Sequence, residues 1–329
     1  MSNRLIVLSL LLVFLSGAVG AASQVQGTPL TFPFFNPSVE TGTDTPTGWT
    51  PLDAYHGDTY RWVPSPAAHG EKSIAIGWTR YVYGRWESDA IPVNTTGFNW
   101  YTLSGQVMAE ENNGEVYLAL AWFNAQGAML TTSDSSMLPW GDTDWQQLTV
   151  NALPPDEASS VRVWCISNHN RGTTHFDDLS LTGTQFPATG EVSYDGFLNE
   201  YPAQPLALAA SLMRVSALMT EAKWIKEADF YNPETRREAS QRYAQAASIV
   251  LDTDVVKVAA PAAGVTVAAV QEQFETLIDA ALSQAVTNAL DAGDTDLAVE
   301  HLTQIVSRNR SPQAKADAQQ WIQQLQGEQ

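Results

Sequence analysis

Tyr101-Thr102-Leu103-Ser104-Gly105-Gln106-Val107-Met108-Ala109 alternates residue by residue, with Tyr101, Leu103, Gly105 and Val107 on one face. A period of two is the mark of a strand with one side on a core. A few residues further on, Glu115-Val116-Tyr117-Leu118-Ala119-Leu120-Ala121-Trp122-Phe123 is an almost unbroken apolar run, the pattern of a fully covered strand. The turn Asn124-Ala125-Gln126-Gly127 follows it. Outward from this pair, strands are expected at 73–78, 81–86, 90–93, 128–131, 145–150, 160–167 and 174–181. Each is short, rich in Val, Ile, Tyr, Trp and Thr, and bounded by Gly, Pro, Asn or Asp. Many strands with no helix between them predict an antiparallel jelly-roll sandwich over residues 28–183.

The period changes after the linker expected at 184–203. Residues 206–228 form a long apolar-rich helix candidate. Asn232-Pro233 is a helix start, a capping side chain followed by proline at the first helical position. Ala239, Tyr243, Ala246, Ala247 and Val250 make one apolar stripe, and Val270, Phe274, Leu277, Ile278, Ala281, Leu282 and Ala285 another. Gly293 ends that helix and Asp294 caps the next, while Ser311-Pro312 opens the last. Pro261 to Gly264 divides the helical half. The expected fold class is therefore an all-β jelly-roll sandwich followed by an all-α helical domain at 204–329.

Composition narrows the function classes. The 329-residue chain carries a net charge of -19. A phosphate backbone needs a basic face, so nucleic acid is not an expected partner, and an anionic membrane surface is disfavoured for the same reason. At the N-terminus, Asn3 and Arg4 precede an apolar run from Leu5 to Leu15 and the small residues 16–22. That is the plan of a signal peptide over residues 1–22, with cleavage after Ala21 or Ala22 and an uncleaved N-terminal anchor as the alternative, and it places the protein outside the cytoplasm, secreted or in the cell envelope. No later segment is long and apolar enough to span a bilayer. The single cysteine, Cys165, falls in phase with Val161 and Val163 and out of phase with Arg162 and Trp164, which predicts a buried thiol on the core face of a strand.

Six stretches resemble, in order, the β-sandwich carbohydrate-binding modules found beside bacterial glycoside hydrolases, and galactose-binding-like domains more broadly. They are Asn36-Pro37-Ser38-Val39-Glu40, Pro46-Thr47-Gly48-Trp49, His69-Gly70-Glu71-Lys72-Ser73, Trp100-Tyr101-Thr102-Leu103-Ser104-Gly105, Ala121-Trp122-Phe123-Asn124-Ala125-Gln126-Gly127 and Phe176-Asp177-Asp178-Leu179-Ser180-Leu181. Asn124 stands where such modules commonly have Asp. The resemblance implies glycan binding without catalysis. It also implies a structural calcium ion joining the first and last strands, with Glu40 and either Asp177 or Asp178 at the ligand positions and carbonyls near 70–72 completing the shell. The alternative for these acidic residues is exposure at strand ends or capping of backbone amides. The helical half resembles tetratricopeptide hairpins around Asp291-Ala292-Gly293-Asp294; an ordinary small bundle is the alternative, and a protein partner is the expected role in either case.

Sugar rings offer a flat C–H face and a rim of hydroxyls, so a site needs aromatic planes with polar edges. Nine of the eleven tryptophans lie before residue 184. Trp49, Trp100, Trp122 and Trp145 are expected in packing. The candidate ligand cluster is Trp78, Tyr81, Tyr83 and Trp86, with Arg80 and Arg85 as hydroxyl donors; Trp122, Trp140 and Trp164 are secondary. His169 and His175 fit no common metal template and are expected on a surface loop. Two other readings stay open at this point. One is an envelope protein that binds other proteins and no sugar. The other is a small glycan hydrolase using a pair such as Glu110-Glu111 or Asp142/Asp144.

Overall fold

Edge-to-edge pairing in two layers fixes the first half of the chain. The structure, a computed structural model, describes residues 26–52, 59–77, 83–308 and 311–327. The signal segment and Trp78, Arg80 and Tyr81 lie outside the described residues. Twelve strands are described: β1 (Thr28–Leu30), β2 (Trp49–Leu52), β3 (Tyr60–Val63), β4 (Ser73–Gly77), β5 (Tyr83–Ser88), β6 (Ile91–Pro92), β7 (Phe98–Asn112), β8 (Glu115–Phe123), β9 (Met129–Asp134), β10 (Gly141–Ala152), β11 (Ser160–Asn168) and β12 (Thr173–Phe186). One sheet runs β10-β7-β12-β4-β3 with β1 on β12, and the other runs β2-β5-β11-β8-β9 with β6 on β11. All pairings are antiparallel. This is a jelly-roll sandwich, and β8 spans the residues its sequence predicts.

The core lies between the sheets. Trp86 of the second sheet donates its indole N–H to the Ala75 carbonyl of the first, 3.2 Å away. Tyr101 and Trp122 meet edge to face across the layers, with ring centroids 5.2 Å apart. Ile74, Leu103, Val107, Leu118, Leu120, Val161, Val163, Cys165 and Phe176 are buried around them. Burial pushes the Cys165 thiol well up, in keeping with the inert core role its phase predicts.

The sandwich does not end at 183. β12 runs on to Phe186, and α1 (Tyr194–Glu200) follows. Phe197 sits against Phe98, Trp100 and Phe186, at centroid distances of 5.4, 5.0 and 5.4 Å. Much of the expected linker is therefore folded, and the chain divides into compact units after Glu200. A seven-residue helix is too short to show a period, which is why the sequence reads as a linker there.

The second unit contains α2 (Leu206–Ala228), α3 (Pro233–Ala247), α4 (Thr253–Ala262), α5 (Val267–Asp291), α6 (Thr295–Arg308) and α7 (Pro312–Gly327). Asn232 caps α3 through Glu234 N–H at 3.0 Å, and Asp294 caps α6 through Leu297 N–H at 3.1 Å. α3 packs on α2 and α5, and α5, α6 and α7 pack in succession. This is a helical bundle around Val215, Ala246, Phe274, Ile278, Ala281 and Leu282; a tetratricopeptide array is not shown. Two sequence expectations change. Val250 lies beyond α3 and is 79% exposed. The stretch around Pro261 is the last turn of α4, whose Asp252 cap accepts from Asp254 and Val255 N–H.

Candidate functional site

Alternation along the second sheet sends every other side chain away from the core. Trp86, Cys165 and Leu118 pair across β5, β11 and β8 and point inward. Their neighbours share the outer face: Tyr83, Arg85 and Glu87 on β5, Arg162, Trp164, Ile166 and Asn168 on β11, and Glu115, Tyr117, Ala119, Ala121 and Phe123 on β8. The register places Tyr83 opposite Asn168 and Asn168 opposite Glu115. It also places Arg85 opposite Ile166 and Glu87 opposite Trp164.

Glu87 organises this face. It is buried, and its carboxylate accepts from the Arg162 guanidinium on one oxygen and from the Trp164 indole N–H on the other, the latter at 2.7 Å. Arg85 reaches the same carboxylate at 3.6 Å. Its guanidinium lies over the Trp164 ring, 4.1 Å from the centroid, and Arg162 lies over Phe123 at 5.1 Å. Two cations around one buried carboxylate hold each other's orientation, and guanidinium planes stack on aromatic faces. At the other end, the Tyr83 and Tyr117 hydroxyls are 3.1 Å apart, and the Asn168 amide donates to Glu115 at 3.0 Å. The result is a fixed array in which Tyr83, Arg85, Glu115, Phe123 and Arg162 are half-buried and Glu87, Tyr117, Trp164 and Asn168 are buried.

Of the six residues expected to bind a ligand, the structure brings Tyr83 and Arg85 to this face. Trp86 is corrected: it is 1% exposed and part of the core, so its ring is closed to any ligand. Among the secondary tryptophans, Trp164 is on the outer face but buried, with the Arg85 guanidinium over its ring, Trp122 is core, and Trp140 is exposed. Sequence reading missed Glu87, Arg162, Tyr117, Asn168 and Glu115. A signal was present for Arg162, which alternates with the core residues Val161 and Val163. Tyr117 carried none, because a run covered on both faces has no readable phase.

The acidic motifs meet at the far sheet. A bulge in β12 between Asp177 and Ser180 gives Asp178 a positive φ of 46° and turns it outward, exposed. Leu179 turns inward and donates its N–H to the Pro37 carbonyl at 3.0 Å, joining β12 to the 36–40 motif. Asp177 is buried and accepts from Ala68, His69 and Asp178 N–H at 2.7, 2.9 and 2.6 Å. Glu40 accepts from Glu71 and Lys72 N–H at 2.9 and 3.1 Å. Burial pushes the Asp177 carboxyl up and the charge of Glu40 adds to it, against the pull of the three amide bonds. The two carboxylates are thus neighbours and both cap backbone amides. The 70–72 segment turns N–H groups toward Glu40, where carbonyl ligands were expected. The second oxygen of Glu40 and the Oδ1 of Asp177 keep acceptor capacity. Asp178 is corrected as a member of the pair. His175 is also corrected: it is a buried strand residue of β12, hydrogen-bonded through Nδ1 to Ser73 Oγ at 3.3 Å.

Carbohydrate-binding modules are among the solved structures similar to this chain. The xylan-binding family 22 module of Paenibacillus barcinonensis Xyn10C is 14% identical over 51% of this chain and 100% of its own, with a TM-score of 0.36. A family 61 module solved with β-1,4-galactotriose is 14% identical over 46% of this chain and 98% of its own, with a TM-score of 0.32. The enzymatically active domain of bacteriophage CBA120 tailspike protein 4 is 13% identical over 45% of this chain, with a TM-score of 0.35, and the match spans only 21% of that domain. No protein-family model matches the chain. No curated protein matches it. The sandwich assignment rests on the strand register.

Proposed function

We propose that the sandwich is a non-catalytic glycan-binding module whose site is the outer face of the second sheet, in a protein that works outside the cytoplasm. The observation that carries this reading is the half-buried row of Tyr83, Arg85, Arg162 and Phe123 on that face, its two guanidiniums oriented by the buried Glu87 and Arg85 stacked on the buried Trp164, which combines aromatic edges with fixed hydroxyl donors. A non-catalytic role is supported by the state of the carboxylates. Glu87 is engaged at both oxygens and Glu115 is held by Asn168, whereas hydrolysis needs one acid and one base free to act on the bond. No helix among the described residues is long and apolar enough to cross a membrane. The helical unit carries exposed Phe230, Tyr231 and Trp321, which suits an assembly role with a protein partner.

The test is titration calorimetry of the full chain against soluble neutral polysaccharides, xylan, β-glucan and galactan. Arg85→Ala removes a guanidinium stacked at the centre of the face and is expected to weaken binding about thirtyfold, the size of an interface hot spot of about 2 kcal/mol. Tyr83→Ala is expected to do the same at one end. Unchanged affinity in both variants would move the site elsewhere.

A structural calcium ion is part of the same proposal, held by Glu40 and Asp177, with water as the remaining ligands. Two adjacent carboxylates, one of them buried with its acid form favoured, are the setting in which a divalent cation relieves most repulsion. Saturating calcium is expected to raise the Tm by about 5 °C over a chelated sample. Glu40→Gln should erase most of that difference. Identical melting curves with calcium and with chelator would leave Glu40 and Asp177 as amide caps alone.

A further inference from the structure

The segment between β9 and β10 runs along the edge of β8 toward the Tyr83–Tyr117 end of the proposed site. Ser135 exchanges hydrogen bonds with Leu118, its N–H donating to the carbonyl at 2.8 Å and its Oγ accepting the Leu118 N–H at 3.0 Å. Leu138 donates its N–H to the Val116 carbonyl at 2.8 Å and buries its side chain. Asn112, also buried, donates its amide to the Leu138 and Pro139 carbonyls at 3.4 and 2.9 Å. On the far side Gly141 takes a φ of 93° and pairs with Asn112, and Asp142 accepts the Glu111 N–H at 2.7 Å.

Trp140 is the residue between these two anchors, and it is 69% exposed. A tryptophan at a flexible loop tip would be an unremarkable exposed apolar residue. This one is presented by backbone fixed on both sides, so little ordering entropy is lost when a flat ligand stacks on it. Asp142 lies just beyond it, bonded to Glu111, and these two with Glu110 and Asp144 of the same strand pair are exposed. They repel phosphate, sulfate and uronate groups and accept hydrogen bonds from hydroxyls. Leu138 bonds to Val116, whose neighbours Glu115 and Tyr117 belong to the outer face, and Trp140 follows Leu138 with only Pro139 between them.

We infer that Trp140 is a stacking platform for an additional sugar ring, a subsite at the end of the sheet face that makes the protein read chain length in a neutral oligosaccharide. This rests on the glycan-binding reading above. The residues of the sheet face would hold a short oligosaccharide, and Trp140 would take the ring that a longer one extends beyond them.

The experiment is calorimetry of the full chain with the tri- and hexasaccharides of the xylo- and cello-series. The hexasaccharide of the bound series is expected to bind about tenfold tighter than the trisaccharide, with aromatic stacking supplying the gain. Trp140→Ala should remove that gain and leave trisaccharide affinity and Tm unchanged, and Trp140→Tyr should restore most of it. An equal gain from length in wild type and Trp140→Ala would overturn the subsite while keeping the site on the sheet. Binding of neither series by the wild type, nor of the polysaccharides above, would overturn both.

Discussion

Phe197→Ala is expected to destabilise the β-sandwich by about 3–5 kcal/mol, the cost of a large cavity in a core that cannot collapse around it. The side chain is fully buried and touches three aromatic rings, Phe98, Trp100 and Phe186, from two strands of the first sheet. Its helix is fixed at both ends. Tyr194 accepts the Leu153 N–H at 3.3 Å and lies beside Trp100 at 5.9 Å. Glu200 accepts from Thr189 and Gly190 N–H, at 3.0 and 2.9 Å for the shortest contact to each. Without α1, the start of β7 and the tail of β12 would expose Phe98, Trp100 and Phe186 together. A chain ending at residue 183 should therefore be far less stable than one ending at Glu200. The measurement is urea unfolding followed by tryptophan emission. A Phe197→Ala midpoint within about 1 kcal/mol of wild type would mean that α1 is an appendage and the sandwich closes without it.

That helix marks the boundary of what the sequence reveals. Strands with clear alternation or continuous apolar character, Tyr101–Ala109 and Glu115–Phe123, are legible because burial on one or both faces imposes the pattern locally. β2 and β3 were not legible. Trp49-Thr50-Pro51-Leu52 contains a proline tolerated only because the strand is at a sheet edge, and Tyr60–Val63 is a four-residue edge strand with too few positions to show a period. The site was legible only in part, for a related reason. Tyr83 and Arg85 were found because aromatic and cationic residues cluster in sequence there. The assignment of Trp86 failed on phase, since one step along a strand exchanges solvent for core. Glu87 is joined to Arg162 and Trp164, 75 and 77 residues away, and no local pattern encodes that meeting. The amide caps at Glu40 and Asp177 show the opposite case. The residues were legible as a pair, but the bulge that separates Asp177 from Asp178 was not, because it depends on the register of β12 against β7.

Acid is expected to weaken the sandwich through His175, by about 3 kcal/mol between pH 6.5 and pH 4. The ring is buried on β12 between Ser73 and Trp145, whose ring centroid is 6.5 Å away. Ser73 donates its hydroxyl to the Pro66 carbonyl at 2.6 Å, which leaves its oxygen to accept from a neutral imidazole protonated at Nδ1. Burial, and then the charge of Arg61, lower the folded-state pKa of His175 to about 4. An unfolded chain binds the proton near pH 6.5, so above that pH neither state is protonated and stability is constant. As the pH falls from 6.5 toward 4 the unfolded state gains a proton the folded state refuses, and stability is lost through that window. Asp177 acts in the opposite direction, because its acid form is favoured in the folded state, and the buried His301 of the helical unit acts in the same direction as His175. His175→Gln leaves both in place. The difference between wild type and this variant in urea midpoints at pH 7 and pH 4.5 therefore isolates the one ring. Wild type should lose clearly more stability over that interval than His175→Gln, and equal losses would show that His175 is protonated in the folded sandwich without penalty.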